Sequence, residues 1–230
     1  MIKSFLIITI LPILLYSSQQ IILVVADDIN TSRAKLECFE GSKLIFKAIN
    51  VNIGRNGLAI GLGEKNFISN TNALKKYEGD GRAPLGIFKL THIFGYTKNS
   101  HFSLPYLYAS KDLICVDDSN SIFYNKIIKQ QGDEKSFEYM KRDDEQYRIG
   151  IVVAHNKRNK DKRGSCIFLH VQKAEKSPTA GCTSMSYKDI QNISLWLDKT
   201  KEPILIQIPK KDKEKILQLY PELKKSTLLL

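Results

Sequence analysis

The sequence has few residues of the kinds that build metal clusters and redox motifs. It contains four cysteines among 230 residues, and no two of them have the C-x-x-C spacing. That absence argues against a zinc cluster and against a thioredoxin-type site. No glycine-rich stretch is followed by Gly-Lys-Ser or Gly-Lys-Thr, which excludes a phosphate-binding loop of the nucleotide type. There is no internal repeat and no low-complexity block, so the length suits one domain with a sizeable core.

A clustered positive charge is also missing, although the formal net charge is +11. The lysines are scattered over predicted loops and the C-terminal segment, and no predicted helix carries a basic stripe interleaved with aromatic residues. Nucleic acid is therefore not an expected partner. The hydrophobic fraction of 43% and the charged fraction of 26% are those of a globular chain rather than a disordered one.

Residues 1–20 have the layout of a secretory signal peptide or signal anchor. A short basic start precedes the apolar run Phe5–Tyr16, and polar residues follow it. The run is too short for a comfortable membrane span, and the lack of an Ala-x-Ala site leaves cleavage open. Cys38, the first cysteine, lies well past the run, which argues against a lipoprotein. We expect an exported protein of the periplasm or cell envelope, in contact with a membrane only through an uncleaved signal.

Short β-branched runs separated by turn residues predict a mainly β fold, a sandwich or barrel-like domain with a few short helices. We place this domain at residues 21–209. Ser186 and Asp189 resemble a capping box and predict the clearest helix of the chain. Residues 210–230 are predicted to form a basic, solvated tail with a short helix. The stretch Gly79–Phe88 holds three glycines and a proline, which predicts an irregular loop suited to close approach of a ligand.

A histidine and a cysteine twelve positions apart carry the chemistry. His170 ends a strand-like apolar run, and Cys182 follows Thr179-Ala180-Gly181. A cysteine becomes a strong nucleophile when an imidazole takes its proton or when a helix N-terminus favours the thiolate. The helix predicted from Ser186 starts a few residues after Cys182. The backbone N–H groups of Gly181, Cys182 and Thr183 are candidates for an oxyanion hole.

Simpler interpretations of the same residues stay open at this point. A lone cysteine after glycine is more often buried or bridged, and a lone histidine on a strand is more often structural. His155 is a rival base. If Cys182 is the nucleophile, three cysteines remain in an oxidising compartment, and a Cys115–Cys166 bridge is one pairing among them. The spacing does not decide the connectivity.

Several motifs in order resemble the L,D-transpeptidase catalytic-domain family, also called YkuD-like. The first two are His170 with the loop to Gly181-Cys182, and the glycine/proline stretch from Gly81 to Phe88. The others are Cys115-Val116-Asp117-Asp118 with Tyr124-Asn125, Gly164-Ser165-Cys166-Ile167-Phe168-Leu169-His170, and Thr179-Ala180-Gly181-Cys182-Thr183-x-Met185. The resemblance covers most of the chain after the signal and is specific, since several spaced motifs agree.

The resemblance implies a mostly β domain and peptidoglycan stem peptides as the partner. Cys182 would attack the carbonyl on the L-centre of the third stem residue and expel the terminal D-residue, with His170 as base. An amine from a second stem would then resolve the thioester into a 3–3 cross-link, whereas water would give L,D-carboxypeptidase activity. No metal and no organic cofactor are implied. The predicted substrate-binding residues are Arg82, His155 and Thr179.

One position departs from the family pattern. Many members carry a basic residue two positions after the cysteine, where this chain has Ser184. Arg82 or a loop lysine could bind the substrate carboxylate instead. A catalytically inactive wall-binding module is the alternative from another class. A papain-like protease fits poorly, because the histidine precedes the cysteine here. The sequence predicts no oligomeric state.

Overall fold

The computed structural model describes residues 18–64 and 67–230, so most of the predicted signal, residues 1–17, lies outside the described residues. Within them the fold is mainly β, as predicted, and no helix there has the length and apolarity to cross a membrane. The strands are β1 (Gln20–Ala26), β2 (Arg33–Glu40), β3 (Lys43–Asn52), β4 (Leu58–Ile60), β5 (Ala83–Gly95), β6 (Tyr106–Tyr108), β7 (Leu113–Val116), β8 (Ile127–Lys129), β9 (Phe137–Tyr139), β10 (Ile149–Val153), β11 (Phe168–Val171), β12 (Thr183–Met185) and β13 (Ile204–Pro209). The α-helices are α1 (Tyr187–Trp196) and α2 (Lys213–Leu219), and short 3₁₀ helices span Lys199–Lys201, Lys210–Asp212 and Pro221–Lys225.

The main sheet closes on itself into an irregular barrel. Its strands follow the order β10, β11, β12, β3, β2, β1, β13 and β5, and β5 also pairs with β10. The long β5 makes this closure, because its middle pairs with β13 and its C-terminal half pairs with β10. β4 and β6 pair with the two ends of β5. Closure leaves few exposed strand edges and encloses one apolar core.

β1 lies in the middle of this sheet, and this position accounts for its apolar sequence. All seven of its residues are buried, so the run Ile21–Val25 has no polar alternation. It pairs antiparallel with β2 and parallel with β13. The strand begins at Gln20, whose side chain donates to the Trp196 carbonyl at 2.9 Å and accepts from the Asp198 N–H at 2.7 Å. The folded domain thus includes Gln20, one residue before the predicted boundary.

The prediction of an irregular loop over Gly79–Phe88 is wrong in its second half. Only residues 79–82 turn, and Ala83 begins the longest strand of the fold. Pro84 is tolerated there because it removes a single N–H, while its carbonyl accepts from the Gln207 side chain at 2.8 Å. The remaining loop is organised by Asp80, whose carboxylate accepts from the backbone N–H groups of Tyr77 and Arg82.

A second, three-stranded sheet stands beside the barrel. β7 lies between β8 and β9, and both pairings are antiparallel. A disulfide joins Cys115 of β7 to Cys166, with the two Cα atoms 6.0 Å apart. The Cys115–Cys166 pairing, one of those that the sequence left open, is therefore the one formed. Cys38 and Cys182 are free and buried.

The C-terminal segment is not the solvated tail that the lysines predicted. Ile216, Tyr220 and Leu223 are buried in the main core together with Leu228 and Leu229. The Glu37 carboxylate in β2 accepts from the Ser226 and Thr227 hydroxyls, each at 2.6 Å. The lysines of this segment are mostly exposed. Because lysines are so numerous in this segment, the sequence did not indicate that the few apolar residues among them pack on the barrel.

Candidate active site

His170 and Cys182 line the same cavity, whose volume is about 460 Å³. Strand pairing brings them together, because β11 and β12 run parallel with His170 opposite Ser184. Cys182 immediately precedes β12. The cavity is also lined by Gly181, Thr179 and residues of the 76–79 segment. The two residues predicted as base and nucleophile therefore share one site.

His170 is held as a neutral imidazole. The ring is 4% exposed, and its Nδ1–H donates to the carbonyl of Val171 at 2.8 Å. This hydrogen bond assigns the proton to Nδ1 and leaves Nε2 as a free acceptor. Burial lowers the pKa of His170 to about 4, despite the hydrogen bond to Val171, which raises it. Tyr147 packs edge-on against the ring, with centroids 5.4 Å apart.

Cys182 is held as a thiol. Its sulfur accepts from the Phe168 N–H at 3.3 Å and contacts the carbonyl of Cys166 at 3.5 Å, toward which the S–H points. Burial, followed by the negative charge of Glu138, raises the pKa of Cys182 to about 12. The Phe168 N–H and the cation of Lys76 act in the opposite direction. At neutral pH the resting site is a thiol beside a neutral imidazole.

The helix N-terminus does not supply the activation that its sequence position suggested. β12 stands between Cys182 and α1, which begins at Tyr187. The Ser186 hydroxyl accepts from the Asp189 N–H at 3.2 Å and so caps the helix as predicted. The N–H that reaches the sulfur comes from Phe168 on the neighbouring strand instead. A strand of three residues such as Thr183–Met185 is too short to show an alternating pattern in the sequence.

Of the predicted oxyanion donors, the Gly181 N–H already has a hydrogen-bond partner. The Gly181 N–H donates to the Thr179 hydroxyl at 3.1 Å, and that hydroxyl donates to the Cys182 carbonyl at 2.6 Å. Thr179 thus shapes the turn that holds Cys182. The Thr183 hydroxyl points to the buried Gln207 side chain at 2.7 Å. A Cβ on Gly181 would lie 3.1 Å from the Arg82 carbonyl, a tight contact that would require this carbonyl to shift by a few tenths of an ångström.

Arg82 and His155 lie outside the cavity that contains His170 and Cys182. The Arg82 guanidinium donates to the carbonyls of Leu58 and Ile29 at 3.1 and 3.4 Å. His155 is 2% exposed, accepts from the Leu62 N–H and contacts the Arg163 carbonyl through Nε2. Burial lowers the pKa of His155 to about 4. Both ring nitrogens are engaged, so the structure gives His155 a place in the scaffold rather than at the sulfur.

Lys76 lines the cavity and was missed by sequence reasoning. Its ammonium pairs with Asp80 at 2.7 Å, and both side chains are nearly fully buried. A Cβ built on Gly181 would lie 3.6 Å from Lys76 Nζ, which puts this cation beside the nucleophile turn. Lys76 sits in a polar stretch without periodicity, so no sequence signal distinguished it from the surface lysines.

Glu138 and Tyr147 form a second group that sequence reasoning missed. The Tyr147 hydroxyl donates to the Glu138 carboxylate at 2.7 Å, and both side chains line the cavity. Burial raises the pKa of Glu138 to about 7. Glu138 also lies near the Cys115 and Cys166 sulfurs, with the ligand-type atoms within 4.8 Å of one another. Those sulfurs are bonded to each other and are not thiolate ligands.

Comparison with known proteins bears on the family. The model of the YkuD L,D-transpeptidase catalytic domain matches residues 25–206. No curated protein and no solved structure matches the chain. The matched range runs from β1 to β13 and contains the cavity with its cysteine and histidine. The chain belongs to the YkuD L,D-transpeptidase catalytic-domain family.

Proposed function

We propose that this protein is an exported cysteine acyltransferase of peptidoglycan, an L,D-transpeptidase that forms 3–3 cross-links through a thioester on Cys182. The observation that carries the proposal is the Cys182 thiol and the Nε2-unprotonated His170 imidazole in one cavity. Its partners are stem peptides rather than nucleic acid, and its place is the periplasm or cell envelope. Membership of the family supports an enzyme of this kind.

The first half-reaction forms the thioester. The S–H points to the Cys166 carbonyl at rest, so it first turns toward His170. His170 Nε2 then takes the thiol proton as Sγ attacks the carbonyl carbon of the third stem residue. The tetrahedral oxyanion is stabilised by the backbone N–H of Cys182, because the Gly181 N–H already donates to the Thr179 hydroxyl. When the C–N bond breaks, the imidazolium returns the proton to the departing amine of the terminal D-residue. The high pKa of Cys182 and the low pKa of His170 mean that proton transfer accompanies the attack rather than preceding it.

The second half-reaction resolves the thioester. The amine of an acceptor stem attacks the thioester carbonyl and loses a proton to His170 Nε2. The C–S bond then breaks, and the proton passes to the Cys182 sulfur, which restores the resting thiol and imidazole. Water in place of the amine would release a tripeptide stem by the same steps. The carboxypeptidase is therefore the alternative on the same site, decided by the acceptor.

Incubation with purified tetrapeptide muropeptides tests the proposal. Mass spectrometry is expected to find 3–3 linked dimers, which Cys182→Ala and His170→Ala abolish. Tripeptide products without dimers would favour the carboxypeptidase. A carbapenem challenge is expected to leave a covalent adduct on Cys182 that is lost in His170→Ala. The absence of products and adduct alike would favour a catalytically inactive wall-binding module.

A further inference from the structure

The disulfide-bonded sheet of β7, β8 and β9 is joined to the chain segment that holds the nucleophile. The Cys182 sulfur has its hydrogen bonds with two backbone groups of one short stretch, the carbonyl of Cys166 and the N–H of Phe168. Both groups belong to residues 166–168, the stretch that leads into β11. The geometry around the sulfur thus depends on how residues 166–168 are fixed.

Cys166 adopts an unfavourable backbone conformation. Its φ is +53°, in the left-handed region that a side chain with a Cβ rarely occupies. A segment in this conformation stays there only when its surroundings hold it. The neighbouring Gly164, with φ of +90°, lets the chain turn back toward the second sheet. The strain is therefore local to the stretch that faces Cys182.

Two contacts from the second sheet hold the segment. The first is the disulfide from Cys115 of β7 to Cys166 itself. The second is the Asn125 amide, whose oxygen accepts from the Cys166 N–H at 3.0 Å. The Asn125 amide nitrogen donates to the carbonyls of His155 and Asn156 at 3.0 and 3.1 Å. One side chain thus ties the Cys166 backbone to the end of β10.

We propose that the Cys115–Cys166 disulfide and Asn125 are positioning groups for the Cys182 nucleophile, so that its reactivity depends on the oxidation state of this bridge. The proposal rests on the proposed role of Cys182 and adds a redox-dependent element to it. Reduction by a dithiol moves two electrons into the S–S bond and leaves thiols on Cys115 and Cys166, while the dithiol closes to a cyclic disulfide. Cys166 then relaxes and withdraws its carbonyl and the Phe168 N–H from the sulfur.

Alkylation by iodoacetamide between pH 6 and pH 10 tests this without any substrate. The full chain is compared in three forms, namely oxidised, reduced with dithiothreitol, and Cys115→Ser/Cys166→Ser. Tryptic cleavage after Lys173 and Lys176 separates the Cys166 peptide from the Cys182 peptide. With the bridge intact the thiol is enclosed and its pKa is about 12, so alkylation at pH 8 is slow. Without the bridge solvent reaches the thiol, and burial raises the Cys182 pKa by more than the Phe168 N–H lowers it. We therefore expect Cys182 to react at least tenfold faster, with a pH midpoint nearer that of an ordinary cysteine.

Cys38 serves as an internal reporter of the barrel, because it is fully buried in β2. We expect it to stay unmodified while Cys182 reacts. Joint modification of Cys38 and Cys182 would mean that the bridge acts on global stability and would overturn the proposal. An unchanged pH profile of Cys182 in the form without the bridge would overturn it as well.

Two further variants separate positioning from folding. Asn125→Gly keeps the left-handed backbone at φ of +60° and removes only the amide, so it is expected to raise Cys182 alkylation in the same direction. Glu134→Ala is the matched control, because it breaks the hydrogen bonds to the Gln131 and Gly132 N–H groups in the turn between β8 and β9 and lies outside the cavity. Carbapenem acylation is expected to fall at least tenfold without the bridge. If the proposed function fails, no form is acylated, yet the alkylation result still decides the positioning role.

Discussion

At the scale of single residues, His170 and Cys182 are both uncharged in the resting protein. This absence of charge determines which role is left to the other residues of the cavity. A thiol that gives up its proton only during attack needs a substrate held in place beforehand. Arg82 is one candidate for binding the substrate carboxylate, but its guanidinium donates to backbone carbonyls instead. Lys173 is an exposed lysine on the cavity wall, and it has no ion pair with another described residue.

We predict that Lys173→Ala raises the KM for tetrapeptide stems about tenfold, the value of one charge-assisted contact. The kcat should change little, because Lys173 lies apart from the reacting atoms. Steady-state kinetics with muropeptides measures both constants. Lys176→Ala is the matched control, since Lys176 is an exposed lysine of the same loop that does not line this cavity. Equal effects of the two substitutions would contradict the assignment.

The Glu138 carboxyl gives a prediction on pH. Its folded pKa of about 7 lies above the ordinary value of 4.5, so the folded state keeps a proton that the unfolded state releases between these values. Stability contributed by this group is present below about pH 4.5 and is lost as the pH rises through 7. Glu138→Gln removes that loss. Relative to wild type, the variant should gain about 3 kcal/mol in free energy of unfolding between pH 4.5 and pH 8.

Urea denaturation at the two pH values measures this difference directly. The histidines change stability with pH as well, but they are common to both proteins and cancel in the comparison. Glu214→Gln is the control, because the Glu214 side chain is 73% exposed on α2 and should show no such gain. A Glu138→Gln curve parallel to that of wild type would contradict the raised pKa.

At the scale of elements, the features that depend on neighbouring residues could be predicted from the sequence. The mainly β fold expected from short apolar runs between turn residues and the cap at Ser186 are confirmed. The start of β11 only at Phe168, after Cys166, the short β12 and the extension of β5 through Pro84 were not predictable. Each of them depends on a partner far away in the sequence, namely the disulfide, the parallel pairing with His170 and the Gln207 side chain.

The α1 cap can be tested separately from the chemistry. Ser186→Ala removes the acceptor for the Asp189 N–H and should lower the free energy of unfolding by about 1 kcal/mol. Because β12 separates the cap from Cys182, carbapenem acylation of the folded variant should match wild type. Thermal unfolding and adduct formation measure the two effects. A large fall in acylation would show that the helix start acts on the nucleophile after all.

At the scale of the whole molecule, the C-terminal segment packs against the barrel and is part of its core. Glu37 is fully buried, and hydroxyls from residues near the C-terminus satisfy its carboxylate. Ser226→Ala should lower the free energy of unfolding by about 1–3 kcal/mol, because it leaves a buried acceptor with one fewer donor. Denaturant unfolding measures the loss. Lys225→Ala, an exposed neighbour, is expected to stay within about 0.5 kcal/mol of wild type, and equal losses would contradict the role of Glu37.

His170 and Cys182, the proposed catalytic pair, could be named from the sequence because they lie in a compact, ordered motif. Lys76, Glu138 and Tyr147 could not, since each stands in a different loop or short strand and converges only through the fold. The same holds for the packed C-terminus. Lysine-rich composition predicted solvation, whereas a few apolar residues at the right spacing were enough to dock the segment.

The position of β1 between β2 and β13 has a consequence for how the chain folds. β2 follows β1 at once, but Ile204–Pro209 is made last among the strands, about 180 residues later. Until it arrives, the all-apolar β1 has an open edge that can pair with another chain. The pairing of β1 with β13 closes a loop of about 180 residues, so it is slow even when the complete chain is present. A long-lived, aggregation-prone intermediate is expected during refolding, and dilution of the chain should raise the recovered yield.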